Sequence, residues 1–261
     1  MLIKPKKSLG QNFLHDENII NKIINASKIS SDDQVLEVGP GTGNLTKLII
    51  SQKPKKIYVV EKDKSLAAKL ENQYYNKINV INKDILKITN EFYSGKKFLI
   101  LGNLPYNIST KILSNWCLNN KLNVSKMILM FQKEVAERIL ANANSKEYSR
   151  ITILSKWKFD IRKITDVKPN SFFPKPKIDS TVLEFIPKTK VHEIKDPKNL
   201  EKITKVFFSQ RRKMIKKPIN ILFKKLKFDY KKFNLHPSDR PQNVDINNYL
   251  RIVNEYESLG N

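Results

Sequence analysis

The residues best suited to chemistry lie in one short segment, Leu101-Gly102-Asn103-Leu104-Pro105-Tyr106-Asn107. Proline fixes its own φ and biases the residue before it towards an extended state, so this segment reads as a stiff loop. Such a loop can aim the Asn103 amide oxygen and the Pro105 carbonyl at one point, where two acceptors bind the two hydrogens of an exocyclic amine. Tyr106 adds a flat face on which a base can stack. An adenine amine is a poor nucleophile because its lone pair is delocalised into the ring. Accepting hydrogen bonds from both N–H groups favours a more pyramidal nitrogen and frees that pair. In methyl transfer from a sulfonium, positive charge moves towards the nitrogen, and acceptor dipoles with an aromatic face stabilise it there. Positioning supplies much of the remaining acceleration. No strongly basic side chain is required, and the segment contains none. Taken alone, the segment also fits a turn with a surface tyrosine.

A second group of residues has the spacing of a nucleoside site. Glu37-Val38-Gly39-Pro40-Gly41-Thr42-Gly43-Asn44 follows an apolar run. Glycines there let the backbone turn sharply and approach a ligand. The pattern is G-x-G-x-G and not G-x-G-x-x-G, because position 44 is Asn. That disfavours a dinucleotide pyrophosphate, and a nicotinamide oxidoreductase with it, and fits a nucleoside lacking phosphates. Glu61 lies about 20 residues beyond the turn, where an acid can bind ribose hydroxyls. Asp84 ends the next strand and can accept from an adenine amine. Asp63 and Glu37 are weaker candidates: the first has the position of a helix cap, and the second can pair with a backbone donor.

The elements that must carry these residues alternate. Strands are expected at Gln34–Val38, Lys56–Val60, Asn79–Asn82, Phe98–Leu101 and Lys126–Phe131. Helices are expected at about 17–29, from the glycine turn to Ile50, Ser65–Tyr74, Ser109–Leu118 and Glu134–Ala141. Strand, crossover helix, strand, repeated this way, implies an α/β fold with a mostly parallel sheet covered on both faces. Trp157–Val167 and Ser180–Ile186 read as β-rich, fit to form an antiparallel edge hairpin, with the Pro-rich stretch 168–177 between them. Residues 197–261 read as helical and basic. The expected division is 1–190 for the catalytic domain and 191–261 for a small all-helical C-terminal domain.

Charge bears on partners. Across 261 residues, Lys+Arg 49 against Asp+Glu 25 leaves a net charge of +24, which draws a chain to polyanions. Nucleic acid is the first candidate and an acidic membrane face the second. Only 7 of those 49 are Arg, so an AT-rich genome accounts for part of the lysine excess. The lone cysteine, Cys117, excludes an internal disulfide framework and fits a reducing compartment. The N-terminus shows no apolar signal-peptide core, and no apolar run reaches the ~20 residues of a membrane span. A cytoplasmic protein is expected. His15, His192 and His236 are scattered without partners at ligand spacing, so no metal is expected. Cys117, Trp116 and Trp157 read as packing residues.

Taken together, these motifs resemble the KsgA-type ribosomal RNA adenine dimethyltransferases. Lys7-Ser8-Leu9-Gly10-Gln11-Asn12-Phe13-Leu14 resembles that family's N-terminal signature, Glu37–Gly43 its S-adenosylmethionine motif, and Asn103-Leu104-Pro105-Tyr106 its catalytic motif. Asn170-Ser171-Phe172-Phe173-Pro174-Lys175-Pro176-Lys177-Ile178-Asp179-Ser180 resembles its second base-flanking loop. The match runs in the family's order from about residue 4 to 250. The resemblance implies a Rossmann-like class I methyltransferase sheet and S-adenosylmethionine as cofactor. Asn12 and Leu14 would close over the cofactor, Gly39 and Gly41 would face its methionine part, Glu61 its ribose and Asp84 its adenine. Asn103 would sit beside both methyl donor and target amine, and Phe172 would stack on the base opposite Tyr106. The implied reaction adds two methyls to N6 of each of two adjacent adenines in the 3′-terminal hairpin loop of small-subunit rRNA. It would act on the 30S particle, with a role in ribosome biogenesis. A monomer without metal or membrane attachment is the expected state.

The C-terminal segment Phe207–Met214 resembles the family's C-terminal helix. Arg211, Arg212, Lys213, Lys216 and Lys217 would grip phosphates there, or form no more than a solvated basic face. Lys216-Lys217 stand where the family pattern has Arg-Asn, and Pro218 is expected to break the helix. Two rivals remain: a 23S rRNA adenine methyltransferase of the macrolide-resistance type, and a largely non-catalytic ribosome assembly factor. A DNA adenine methyltransferase is disfavoured because position 104 is Leu and not Pro.

Overall fold

A computed structural model describes residues 5–224 and 228–259. Residues 1–4 of the polar N-terminal stretch, and 225–227 and 260–261 of the basic C-terminal region, lie outside the described residues.

The chain runs β1 (Phe13–Leu14), α1 (Glu17–Ser27), β2 (Gln34–Val38), α2 (Asn44–Ser51), β3 (Lys56–Val60), α3 (Lys64–Gln73), β4 (Asn79–Ile81), α4 (Asn90–Tyr93) and β5 (Lys97–Asn103). It continues with α5 (Ser109–Leu118), β6 (Asn123–Gln132), α6 (Lys133–Leu140), α7 (Arg150–Lys158), β7 (Phe159–Val167), β8 (Phe172–Phe173) and β9 (Ser180–Pro187). It closes with α8 (Pro197–Ser209), α9 (Lys216–Phe223) and α10 (Ile246–Ser258).

Two compact units are formed. One takes the described part of Met1–Ala136 with Asp160–Pro187, and the other takes Glu137–Phe159 with the described part of Lys188–Asn261. A single cut near residue 190 overlooks the excursion at 137–159. Its helix α7 packs with α8 and α10 of its own unit.

The first unit is built on a seven-stranded sheet of order β4-β3-β2-β5-β6-β9-β7. Strands β2 to β6 are mutually parallel. Their runs are apolar without alternation because helices cover both faces: Val35, Leu36, Ile100 and Leu101 are all fully buried. Strand β9 is antiparallel to β6. Between β9 and β7, side-chain pairs Thr181–Asp166 and Glu184–Arg162 run in opposite directions, so this edge is an antiparallel pair. The order reverses between β2 and β5, which is where open α/β sheets bind ligands beyond their C-terminal edge.

Helix α1 buries Ile19, Ile20, Ile23 and Ile24 against this sheet. Its N-cap Asp16 accepts from the amides of Asn18 and Ile19, satisfying two of the first-turn donors. Just before it, β1 pairs with β8 in a two-stranded antiparallel ribbon with Phe13 opposite Phe173 and Leu14 opposite Phe172.

Three local expectations change. The run from Trp157 begins as helix: α7 covers 150–158, and Ile151, Ile153, Leu154 and Trp157 are all buried. A helix buried all round has no amphipathic period, and its β-branched residues imitate a strand. Strand β5 extends to Asn103 itself. Pro218 does not break a helix: α8 ends at Ser209 and α9 begins at Lys216, so Pro218 sits in the first turn, where its missing N–H has no helical partner to lose.

Candidate active site at the C-terminal edge of the sheet

A cleft of about 1280 Å³, its open mouth included, lies across the β2/β5 reversal. The glycine turn follows β2 in its wall. Gly39 and Gly41 have φ of +70° and +58°, where side chains are strained. Space is also limiting: a Cβ on Gly41 would stand 2.7 Å from the Phe13 ring, and one on Gly39 would stand 3.3 Å from the Asn103 carbonyl oxygen. The turn is therefore glycine for approach as well as for conformation.

The acids expected at the strand ends all line this cleft except Asp63, which stands just behind it. Glu61 is buried. One of its carboxylate oxygens accepts from the Asp63 amide at 2.8 Å and the other from the Gly41 amide at 3.3 Å, so the ribose-type acid is fixed to the glycine turn. Burial raises its pKa, opposed by those amides. Further acceptor positions on each oxygen remain for ligand hydroxyls. Asp84 accepts from the Leu86 amide at 3.0 Å and pairs with Lys62 Nζ at 3.0 Å. Burial raises its pKa, but these partners outweigh it and leave the group below its ordinary value.

Asp63 does more than cap α3. It accepts from Ser65, and also from Lys6 Nζ at 3.0 Å and Gln11 Nε2 at 3.1 Å. These bonds outweigh burial and hold the carboxyl well below its usual range. Glu37 pairs with a side chain and not with a backbone donor: Thr46 Oγ1 donates to it at 2.6 Å. Burial pushes Glu37 up to about 8.

At the end of β5 the Asn103 amide nitrogen donates to the Asn12 carbonyl at 2.8 Å. This contact orients the amide and leaves its oxygen as the free acceptor. Pro105 and Tyr106 are half-buried beside it. The Pro105 carbonyl already accepts from the Ile108 amide at 3.1 Å, so one of its two lone pairs remains. The Tyr106 hydroxyl is bonded to Ser180 Oγ at 2.5 Å, and Ser180 is fully buried at the start of β9. With its polar end held in the scaffold, the ring is the part of Tyr106 left to meet a ligand.

Of the residues singled out from sequence, Asn12, Leu14, Gly39, Gly41, Glu61, Asp84, Asn103, Pro105 and Tyr106 all line the cleft. Phe172 does not. It is 3% exposed and belongs to the hydrophobic core with Leu14 and Ile20. In the two-residue strand β8, side chains alternate, and a one-residue step reverses the face. The exposed ring of this loop is Phe173.

Three contributors escaped sequence reading: the Asn12 carbonyl, Ser180, and Asn44. The last, which spoils the dinucleotide pattern, donates to the Leu14 carbonyl at 2.8 Å and ties the N-terminal segment over the cleft. Arg211 is also reassigned. Its guanidinium bonds Gln242 Oε1 and the carbonyls of Ser145 and Lys146 within the helical unit, whereas Arg212, Lys213, Lys216 and Lys217 are exposed.

A glycine turn after the first parallel strand, acids after the next two, and an Asn-Leu-Pro-Tyr loop after the fourth define a Rossmann-like class I methyltransferase. Solved structures agree: a dimethyladenosine transferase from Plasmodium falciparum superposes with a TM-score of 0.75 at 28% identity, covering 95% of this chain and 98% of that one. The 23S rRNA methyltransferase ErmE shares the fold at TM-score 0.69 and 23% identity, covering 94% and 100%. The model of the ribosomal RNA adenine dimethylase family matches residues 3–258, and the chain belongs to that family. Ribosomal RNA small subunit methyltransferase A of Pelagibacter ubique is 52% identical over 99% of both chains. The protein of that name from Malacoplasma penetrans is 40% identical over 97% of this chain and 92% of its own.

Proposed function

We propose that the chain is a S-adenosylmethionine-dependent methyltransferase that converts two adjacent adenines in the 3′-terminal hairpin loop of 16S rRNA to N6,N6-dimethyladenine. The observation that carries this reading is the Asn103 amide, turned by the Asn12 carbonyl so that its oxygen is the acceptor.

The cleft suits the cofactor. Gly39 and Gly41 admit close backbone approach, Glu61 keeps acceptor capacity for ribose hydroxyls, and Asp84 is charged where an adenine amine can donate. Asn12 and Leu14 cover the site from the N-terminal segment. When bound, S-adenosylmethionine supplies an electrophilic methyl on a positively charged sulfur.

The target amine donates one hydrogen to Asn103 Oδ1 and one to the remaining lone pair of the Pro105 carbonyl. Its ring lies on Tyr106. Asn103 Oδ1, the Pro105 carbonyl and the Tyr106 ring would stabilise the positive charge that builds on the nitrogen as it takes up the methyl, and the cofactor would leave with the electron pair of the broken carbon–sulfur bond. The nitrogen then releases a proton to water. In the second transfer to a base the nitrogen already carries one methyl and donates its single remaining hydrogen to one of the two acceptors. Two transfers per base and two bases consume four cofactors per RNA. A paired, stacked adenine hides its amine, whereas a hairpin loop offers it at little unstacking cost.

The sheet-bearing unit carries this chemistry, and the helical unit contacts RNA through exposed Arg212, Lys213, Lys216 and Lys217. The protein acts as a monomer on the 30S particle in the cytoplasm and takes part in small-subunit biogenesis. No described helix is long and apolar enough to cross a membrane.

Mass spectrometry of rRNA from unmethylated 30S particles, after incubation with labelled cofactor, tests the reading. Two adjacent dimethyladenines near the 3′ end are expected. Label in 23S rRNA instead would make it a relative of the macrolide-resistance type. Particle binding with no label in any RNA would make it an assembly factor.

A further inference from the structure

Phe173 is 61% exposed, in a loop whose neighbouring aromatic is buried. Its position follows from the ribbon. Residues directly opposite in an antiparallel pair share a face. Leu14 and Phe172 form one such pair; Phe172 points into the core, and Leu14 packs there while also reaching the cleft. Phe13 and Phe173 form the other, and Phe13 lines the cleft with its ring against Gly41. Phe173 therefore shares the face of the ribbon that Phe13 turns towards the glycine turn, outside the residues that line the cleft itself. Phe13 is one residue from Asn12, whose carbonyl holds Asn103. A cross-strand step of about 5 Å and one residue of about 3.8 Å put Phe173 on the order of 10 Å from the catalytic amide.

The chain beyond it reads Pro174-Lys175-Pro176-Lys177-Ile178-Asp179. Prolines restrict the backbone, and both lysines are exposed. The one acid in the segment, Asp179, is paired with Lys168 at 2.7 Å. The loop thus holds out one aromatic ring, the smaller exposed side chain of Ile178 and two cations, with no uncompensated acid. A protein partner would call for a broader apolar surface. A single strand of nucleic acid, which alternates π-faces with negative charges, matches what is there.

We infer that Phe173, Lys175 and Lys177 form a subsite for the nucleotide flanking the target adenine, with its base stacked on the Phe173 ring and its backbone phosphates on the lysines. This rests on the RNA methyltransferase reading above and extends it. Tyr106 and Asn103 engage the base that reacts, and Phe173 engages its neighbour. Since every base has a π-face, the subsite adds affinity and register with little sequence choice.

The test combines three proteins with two kinds of RNA. Wild type, Phe173→Ala and Phe173→Trp are titrated by fluorescence anisotropy, and assayed for methylation, with hairpin RNAs whose loop adenine has either a purine or an abasic neighbour on each side in turn. Phe173→Ala is expected to weaken binding of the purine-flanked RNA, and to raise its KM, about 5-fold or more. The kcat and the cofactor affinity should stay within about twofold of wild type, and Phe173→Trp should restore binding. Removing the neighbouring base should cost wild type a similar factor on one side, and cost Phe173→Ala nothing further. If Phe173→Ala binds the purine-flanked RNA as wild type does, or discriminates against the abasic RNA as strongly as wild type does, the subsite is wrong. Wild type that binds RNA and cofactor but transfers methyl neither to the hairpins nor to unmethylated 30S particles would overturn the enzymatic reading instead, while the binding comparison would still decide the role of Phe173.

Discussion

The two halves of the cleft are built differently. On the glycine-turn side, acids are fixed by backbone amides and by each other's neighbours: Glu61 by Gly41 and Asp63, Asp84 by Leu86 and Lys62, Glu37 by Thr46. On the Asn103 side, each group is held by one end and left open at the other. The Asn103 nitrogen is bound and its oxygen is free; the Tyr106 hydroxyl is bound and its ring is available. On the proposed function, the first side would be a preformed binding surface and the second would aim its open groups at the target base. Substitutions on the first side should change cofactor affinity or stability, and those on the second should change turnover and RNA use.

The largest effect is expected at Asn103. Asn103→Ala should lower kcat by about 10²–10³-fold, the cost of removing one preorganised polar group, with cofactor and RNA binding near wild type. Asn103→Asp should lose nearly as much. It keeps an acceptor oxygen but sets a second acceptor against the Asn12 carbonyl. A well-turned-over Asp variant would show that orientation by Asn12 does not matter.

Gly41→Ala acts on the other half. Left-handed backbone strain, on the order of 1–2 kcal/mol, adds to the close contact with Phe13. Calorimetry should find cofactor affinity about tenfold weaker or worse, with little change in RNA binding. An unchanged affinity would mean that the glycine turn is no part of the cofactor surface.

Glu37 gives the comparison a pH signature. Burial lifts its pKa from 4.5 to about 8. Between those values the folded protein keeps a proton that the unfolded chain has released. Its contribution is fully present below pH 4.5 and is lost as pH rises to about 8, by up to about 1.4 kcal/mol per unit. Urea unfolding of Glu37→Gln should therefore gain on wild type steadily from pH 5 to 8. Parallel curves would mean that Glu37 does not carry the proton.

The smallest effect is expected at Ser180. Ser180→Ala removes one hydrogen bond, about 1 kcal/mol, and frees the Tyr106 ring to turn. The kcat/KM for RNA should fall about 5-fold with cofactor affinity unaltered, and Tyr106→Phe should make the change at Ser180 nearly silent. Full additivity of the two would disconnect them.

How much of this was legible in the chain differs between residues for physical reasons. The parallel sheet was readable because buried strands have continuous apolar runs and the intervening helices have a clear period. The edge pair at β7 and β9 was readable from its β-branched and aromatic residues, not from burial, since most of β7 is exposed or half-buried. Helix α7 was hidden because burial on all sides erased its period. Asn44 looked like a defect in a glycine pattern and proved to be a tether for Leu14. Arg211 looked like a phosphate contact and proved to be a brace for carbonyls within its own unit.

The sequence by itself determined which chemical groups are present and which strand ends carry them, since those follow from local periodicity, proline stiffness and glycine spacing. Tertiary structure alone decided which way each group faces. Asn103 is oriented by a carbonyl 91 residues away and Tyr106 by a hydroxyl 74 residues away, and the burial of Phe172 with the exposure of Phe173 depends on the register of a ribbon two residues long. Orientation is set by contacts between segments distant in the chain, and local sequence carries no record of those contacts.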